Sequence, residues 1–235
     1  RPNILFILAD DMGYGDLSRL NNGLSHTPAL DYLIDKGVSL TQNYSSSCVC
    51  NPARATLMTG RYPHRTGSID TIEWRGLERL ALRETTIADL LKRAGYATGL
   101  VGKWHLGAFD KRYHPNSRGF DEAVSFQGGM HDYYKWRIDY NGKVERGDGR
   151  YLTDVWSSEA CSFIERHKDQ PFFLHVTYNA PHTPLQVPEE ELNFFEGNDE
   201  LGRGVKLIYA MIKRMDSGIA NIIETLQKFG LEDDT

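Results

Sequence analysis

Four short stretches of this chain carry side chains whose types could do chemistry together. Asp10 and Asp11 are adjacent carboxylates that follow an apolar run, Asn3 to Ala9. Cys50 precedes Pro52 and Arg54 at the start of a short helical stretch. A thiol at a helix N-terminus favours a thiolate or a bound anion. Gly102-Lys103-Trp104-His105 sets a cation and an imidazole in a glycine-flanked loop, and Asn179-Ala180-Pro181-His182 adds a second imidazole between prolines. Paired carboxylates suit a hard cation, and cations with imidazoles suit an anionic substrate and proton transfer. Taken singly, each has a plainer reading. The carboxylates could close a turn, Cys50 could be a small buried hydrophobe, and the lysine and histidines could sit in ordinary loops.

These groups act together only if the fold converges them. The run to Ala9 has strand length and no polar alternation, as in a parallel strand buried on both faces. Further strands are expected over Val38 to Tyr44, Tyr96 to Val101 and Phe172 to Tyr178. Thr27-Pro28 reads as an N-cap and first helical residue, with Gly37 closing that helix. A short helix is expected from Pro52 to Met58, and Thr85 or Thr86 caps another through Arg93. Leu152, Val155, Trp156, Ala160, Phe163 and Ile164 mark one apolar helical face. Ile208, Met211, Ile212, Met215, Ile219, Ile222, Ile223 and Leu226 mark a longer one. Asp110 to Arg150, rich in glycine, tyrosine and charge, reads as long loops over one sheet edge. Strand and helix alternate, so the class is α/β, with a mostly parallel central sheet flanked by helices. Ligands in such sheets gather beyond the carboxyl ends of the strands, where all four stretches fall.

The composition fits this picture. With 40% hydrophobic and 25% charged residues, the chain is ordinary for a globular protein. A net charge of -5 argues against nucleic acid as a partner, and no apolar run spans a bilayer. Three cysteines make no complete disulfide framework. The chain opens on Arg1-Pro2 without an initiator Met, so a leader is expected to have preceded it.

Four motifs in order carry a family resemblance. Cys50-Asn51-Pro52-Ala53-Arg54, continuing to Thr59-Gly60-Arg61, is similar to the sulfatase signature: Cys, any residue, Pro, Ser or Ala, Arg, then Thr-Gly-Arg downstream. Ala9-Asp10-Asp11 with Gly13-Tyr14-Gly15-Asp16, Gly102 to Gly107, and Ala180-Pro181-His182-Thr183-Pro184 match the same family's pattern. The resemblance covers essentially the whole chain and implies an alkaline phosphatase/sulfatase-like fold. It implies that Cys50 is oxidised to formylglycine, whose hydrate attacks the sulfur of a sulfate ester. Arg54 would hold the diol, Lys103 would clamp a sulfate oxygen, His105 would be the base that releases sulfate, and His182 would face the departing alcohol. Asp10, Asp11 and the oxygen of residue 50 would bind Ca²⁺, or Mg²⁺ in its place. The implied partners are a sulfated small molecule or carbohydrate and a formylglycine-generating or anaerobic sulfatase-maturating enzyme. The implied location is exported: periplasmic, secreted or lysosome-like.

Two departures from the family pattern bear on these expectations. Sulfatases continue with a strand carrying an Asp-Asn pair that completes the metal site, and with a further lysine. Residues 1–235 are therefore expected to be the N-terminal part of a catalytic domain, cut before that strand, with little activity alone and an exposed sheet edge. Some members also carry a substrate-contacting serine after the segment matching Gly119-Phe120. Here Gly128-Gly129-Met130-His131-Asp132 stands instead, and His131 is the candidate substrate contact. Cys48 and Cys50 lack the second cysteine pair of a zinc site, and Cys161 falls on an apolar helix face. Asn43-Tyr44-Ser45 fits the glycosylation pattern but is expected to be unmodified within a strand. Tyr133, Tyr134, Trp136 and Tyr140 could stack on a sugar or pack a loop onto the sheet. Other readings are a phosphonate or phosphate ester hydrolase of the same superfamily, and a non-catalytic sulfated-glycan-binding protein.

Overall fold

In a computed structural model that describes residues 1–235, the apolar run near the N-terminus forms strand β1 (Ile4–Asp10). The other strands are β2 (Ala97–Lys103), β3 (Glu122–Phe126), β4 (Arg137–Tyr140), β5 (Lys143–Arg146) and β6 (Phe172–Pro181). They form one sheet in the order β1-β6-β2-β3-β4-β5. The first four in that order are parallel neighbours, and β4 and β5 add an antiparallel hairpin. The carboxyl ends of β1, β2 and β6 therefore share one edge, as the α/β reading requires.

Helices cover both faces of this sheet. All ten residues of β6 are buried, as a central parallel strand demands. Its Phe172, Leu174, Val176 and Tyr178 join one core cluster with helices α5 (Leu152–His167) and α7 (Arg203–Lys228). The long stripe of α7 enters it through Met211, Met215, Ile219, Ile222 and Leu226. On the other face Phe173 joins Ala55 and Met58 of α2 (Cys50–Thr59) and Ala88 of α4 (Ile87–Arg93). Thr86 caps α4 in a reciprocal box with Asp89. Helix α1 (Pro28–Lys36), the single turn α3 (Pro63–Thr66) and α6 (Glu189–Asn193) complete the set. The hydroxyl of Thr27 does not cap α1 as the sequence suggests, because it bonds Ser18 instead. The buried Asp216 of α7 accepts hydrogen bonds from Ala29 N–H and Leu30 N–H, both at 2.9 Å, and caps α1 from across the core.

Two expected elements are corrected. Val38 to Tyr44 is not a strand but an exposed loop, with Val38 87% exposed. No neighbouring strand offers it a ladder, so β propensity has nothing to act on. Asn43-Tyr44-Ser45 thus lies in a loop, and the reason given for leaving it unmodified falls away. Asp110 to Arg150 is not loop throughout, since β3, β4 and β5 lie within it and build the far side of the sheet. Their short runs are hidden among glycines and charges. Tyr133 and Trp136 are buried, so packing is the role of those aromatics, while Tyr134 stays partly exposed. Cys161 is half-buried against the α5–α7 core.

Candidate active site

The site is built where three strand ends meet the N-terminus of one helix. Strand β1 ends on Asp10, which is 4% exposed. Arg54, one turn into α2, donates from Nη2 to Asp10 Oδ1 at 3.0 Å. Lys103, the last residue of β2, donates from Nζ to Asp10 Oδ2 at 2.5 Å and is wholly buried. Burial by itself raises the Asp10 carboxyl, but the Arg54 and Lys103 charges and hydrogen bonds outweigh it and hold it below the usual range. Arg54 is fixed further by the Lys103 carbonyl at 2.9 Å and by the hydroxyl of Thr177 on β6. The backbone allows this crowding because residue 102 is glycine. At φ 118° a Cβ there would stand 2.0 Å from the Thr177 carbonyl oxygen.

Cys50 opens α2, half-exposed at the helix N-terminus. Its Sγ lies 3.3 Å from Nδ1 of His105, which is 1% exposed. Burial, then the Lys103 and Arg54 charges, push the His105 imidazole down to about 3, so the ring is neutral. The turn carrying His105 is anchored by Asn51, whose Nδ2 donates to the His105 carbonyl at 2.5 Å and to the Glu78 carbonyl at 2.6 Å. His182 follows the end of β6, with Nε2 3.6 Å from Asp11 Oδ2. Tyr133 fixes that turn, its hydroxyl meeting the carbonyls of Asn179 and His182, each at 2.8 Å.

The structure thus joins Asp10, Arg54 and Lys103 in one cluster, Cys50 with His105, and Asp11 with His182. Asp10, Asp11, Cys50 and Arg54 line one cavity of about 520 Å³, roofed by the 43–49 loop. Lys103 and His105 lie buried beneath it. The expected meeting of four strand ends is corrected to three strand ends and a helix N-terminus. His131 is not in this cavity. It stacks edge-on against Phe126, its Nε2 meets the Arg137 backbone, and it borders a separate shallow pocket with Thr183.

Two carboxylates and the side chain of residue 50 face one cavity, a donor set that in kind suits a hard divalent cation. In number they make a small share of the roughly six to eight oxygens calcium takes, and no three His, Cys, Asp or Glu side chains converge as a metal group. Sequence reading missed Thr177 and Asn51. A signal existed for Thr177, because His175, Thr177 and Asn179 alternate as polar residues along an otherwise apolar strand. Arg61, at the tail of the signature, holds the buried Glu84 at 2.8 and 3.0 Å and serves the scaffold.

The chain is similar to known sulfatases. The family model described as Sulfatase matches residues 2–235. The chain is 35% identical to an arylsulfatase of Klebsiella aerogenes over 86% of its own length and 47% of that protein. It is 32% identical to the human N-acetylgalactosamine-6-sulfatase over all of its length and 48% of that protein. It therefore spans about half the length of these curated relatives. The crystal structure of Ps i-CgsB in complex with k-i-k-neocarrahexaose superposes on all of the chain and 57% of that structure's chain, with a TM-score of 0.93 and 36% identity.

Proposed function

The chain belongs to the sulfatase family, and from that premise we propose that the whole protein hydrolyses sulfate esters, with residue 50, oxidised from cysteine to formylglycine, as its nucleophile. The observation that carries this reading is the 3.3 Å approach of Cys50 Sγ to His105 Nδ1, at a helix N-terminus beside the Asp10–Arg54–Lys103 cluster. The cysteine sulfur marks where an oxygen of the hydrated aldehyde would stand. A helix N-terminus and two cations favour negative charge there.

The reaction divides into two displacements. One hydroxyl of the hydrate attacks sulfur, the S–O bond to the alcohol breaks, and the alcohol leaves with that electron pair and a proton. His182 faces this departure, its ring set beside Asp11. The second hydroxyl then gives its proton to His105, the aldehyde C=O re-forms, and sulfate leaves with the C–O electron pair. Water rehydrates the aldehyde. Lys103, held on Asp10 and wholly buried here, would clamp a sulfate oxygen on turning toward the cavity, and Arg54 offsets charge at the diol. A divalent cation, calcium or magnesium, held by Asp10, Asp11 and the oxygen of residue 50, would withdraw charge from the sulfuryl group when bound.

The substrate class we infer is a carbohydrate sulfate. Support comes from the human relative's name and from the oligosaccharide in the Ps i-CgsB complex. His131, in the separate pocket it shares with Thr183, would be a contact for a longer chain. Conversion of Cys50 needs a formylglycine-generating or anaerobic maturating enzyme. Asn51, Pro52 and Arg54 are buried, so such an enzyme must read the signature before α2 packs. We also propose export from the cytoplasm; no helix is long and apolar enough to cross a membrane.

The test is mass spectrometry of the peptide spanning Cys50, from protein made in its native host, with turnover of sulfate and phosphate esters. We expect a peptide lighter by the exchange of H₂S for O, sulfate release, and a loss of several orders of magnitude in Cys50→Ala. An unmodified thiol would point to binding without catalysis. Faster turnover of phosphoryl esters would reassign the chemistry.

A further inference from the structure

Glu73 belongs to none of the motifs, yet its carboxylate is held against the back of the imidazole that faces residue 50. We propose that Glu73 is the positioning residue for His105, an inference resting on the reading of residue 50 as nucleophile and His105 as its base. The His105 ring presents Nδ1 to Cys50, and its Nε2 is buried without a hydrogen-bond partner. Glu73 Oε1 lies 3.8 Å from that Nε2. The same oxygen accepts a hydrogen bond from Gly129 N–H at 2.6 Å, which fixes the carboxylate beside the ring. The backbone of Thr71, two residues before Glu73, also faces the ring.

The Gly128-Gly129 pair, which stands where some relatives carry a serine, acquires a reason from this contact. A Cβ at residue 128 would meet Glu73 Oε1 at 3.0 Å, and one at residue 129 would meet His105 Cε1 at 2.6 Å. Side chains at these positions would push the carboxylate and the imidazole out of line. Both glycines keep the space in which the two groups approach.

A nucleophile, its base and a third group that orients the base form a general catalytic arrangement. A carboxylate opposite Nε2 favours the tautomer with its proton on Nε2, which leaves the Nδ1 lone pair facing residue 50. In the release step the second hydroxyl's proton passes to Nδ1 and its O–H electron pair becomes the C=O bond. The C–O bond to sulfate breaks, and sulfate leaves with that bond's electron pair. The Glu73 carboxylate offsets the charge that appears on the ring. The 3.8 Å gap is of the kind that tightens once substrate fills a site.

Rapid-mixing kinetics with nitrophenyl sulfate on protein from its native host tests this. Phenol release reports the first displacement, and steady-state turnover reports sulfate release. Glu73→Gln, which keeps an acceptor without the charge, is expected to retain the full phenol burst while kcat falls about 10-fold. Glu73→Ala is expected to keep the burst and lose about 10²-fold, with KM unchanged or lower in both. Turnover in both variants within about twofold of the parent overturns the assignment. So does a burst that shrinks in step with kcat and with the thermal midpoint, the mark of a structural role. Absence of turnover by the parent protein of both nitrophenyl sulfate and sulfated oligosaccharides overturns the sulfatase reading itself, and this inference with it.

Discussion

Asp10 is the residue on which the site's electrostatics turn. Two buried cations satisfy its two oxygens, and the cluster is stable only as a set. Removing one partner of a buried pair leaves an under-compensated charge. Lys103→Met is therefore expected to lower stability by about 3 kcal/mol, toward the small end of such losses because Arg54 still holds Asp10. Urea unfolding measures it. The residue types in this cluster were legible in the sequence because each sits in a family motif. That Lys103 and Arg54 both contact Asp10 was not, because pairing across 93 and 44 residues is set by strand order. Glu73 left no trace at all, because it opens a single 3₁₀ turn, too short for periodicity to mark a carboxylate as facing the site.

At the scale of elements, helix caps and buried polar strand residues carry the testable energetics. Asp216→Ala would strip the cap from α1 and leave two N–H groups without acceptors. A loss of about 1–2 kcal/mol is expected in denaturant unfolding, as for other caps. The sequence pointed to Thr27 here because capping propensity is local, whereas Asp216 comes from a helix 187 residues away. His175 on β6 stacks on Phe6, and its burial pushes the imidazole down from 6.5 to about 4. Between those values the unfolded chain binds a proton that the folded chain does not. His175's share of stability therefore falls as pH drops from about 6.5 toward 4, by roughly 3 kcal/mol. Unfolding midpoints of the parent should follow this slope, and those of His175→Gln a shallower one, because His105, also pushed down by burial, still contributes in the same direction. The long strands and amphipathic helices were readable from periodicity. Strands β3 to β5 were not, because runs of four or five residues among glycines carry too little pattern.

For the whole molecule, the sheet order makes β1 the end strand, with β6 on one side only. It is apolar from Ile4 to Ala9, the kind of edge that recruits other chains. The 235-residue polypeptide, produced alone, is expected to self-associate as its concentration rises. Sedimentation showing a monomer throughout would mean that the edge is protected. The parallel class and the shared carboxyl edge could be foreseen from alternating strands and helices. The position of β1 at the end of the sheet could not, since alternation fixes direction but not neighbours. That position also sets a schedule for biogenesis. Ile4 pairs with Phe173 and Leu8 with Thr177, so β1 leaves the ribosome well before the strand it pairs with. At ordinary elongation rates the wait is roughly 10–30 s. Through that interval a greasy, unpaired segment is available to chaperones, export machinery and neighbouring nascent chains alike.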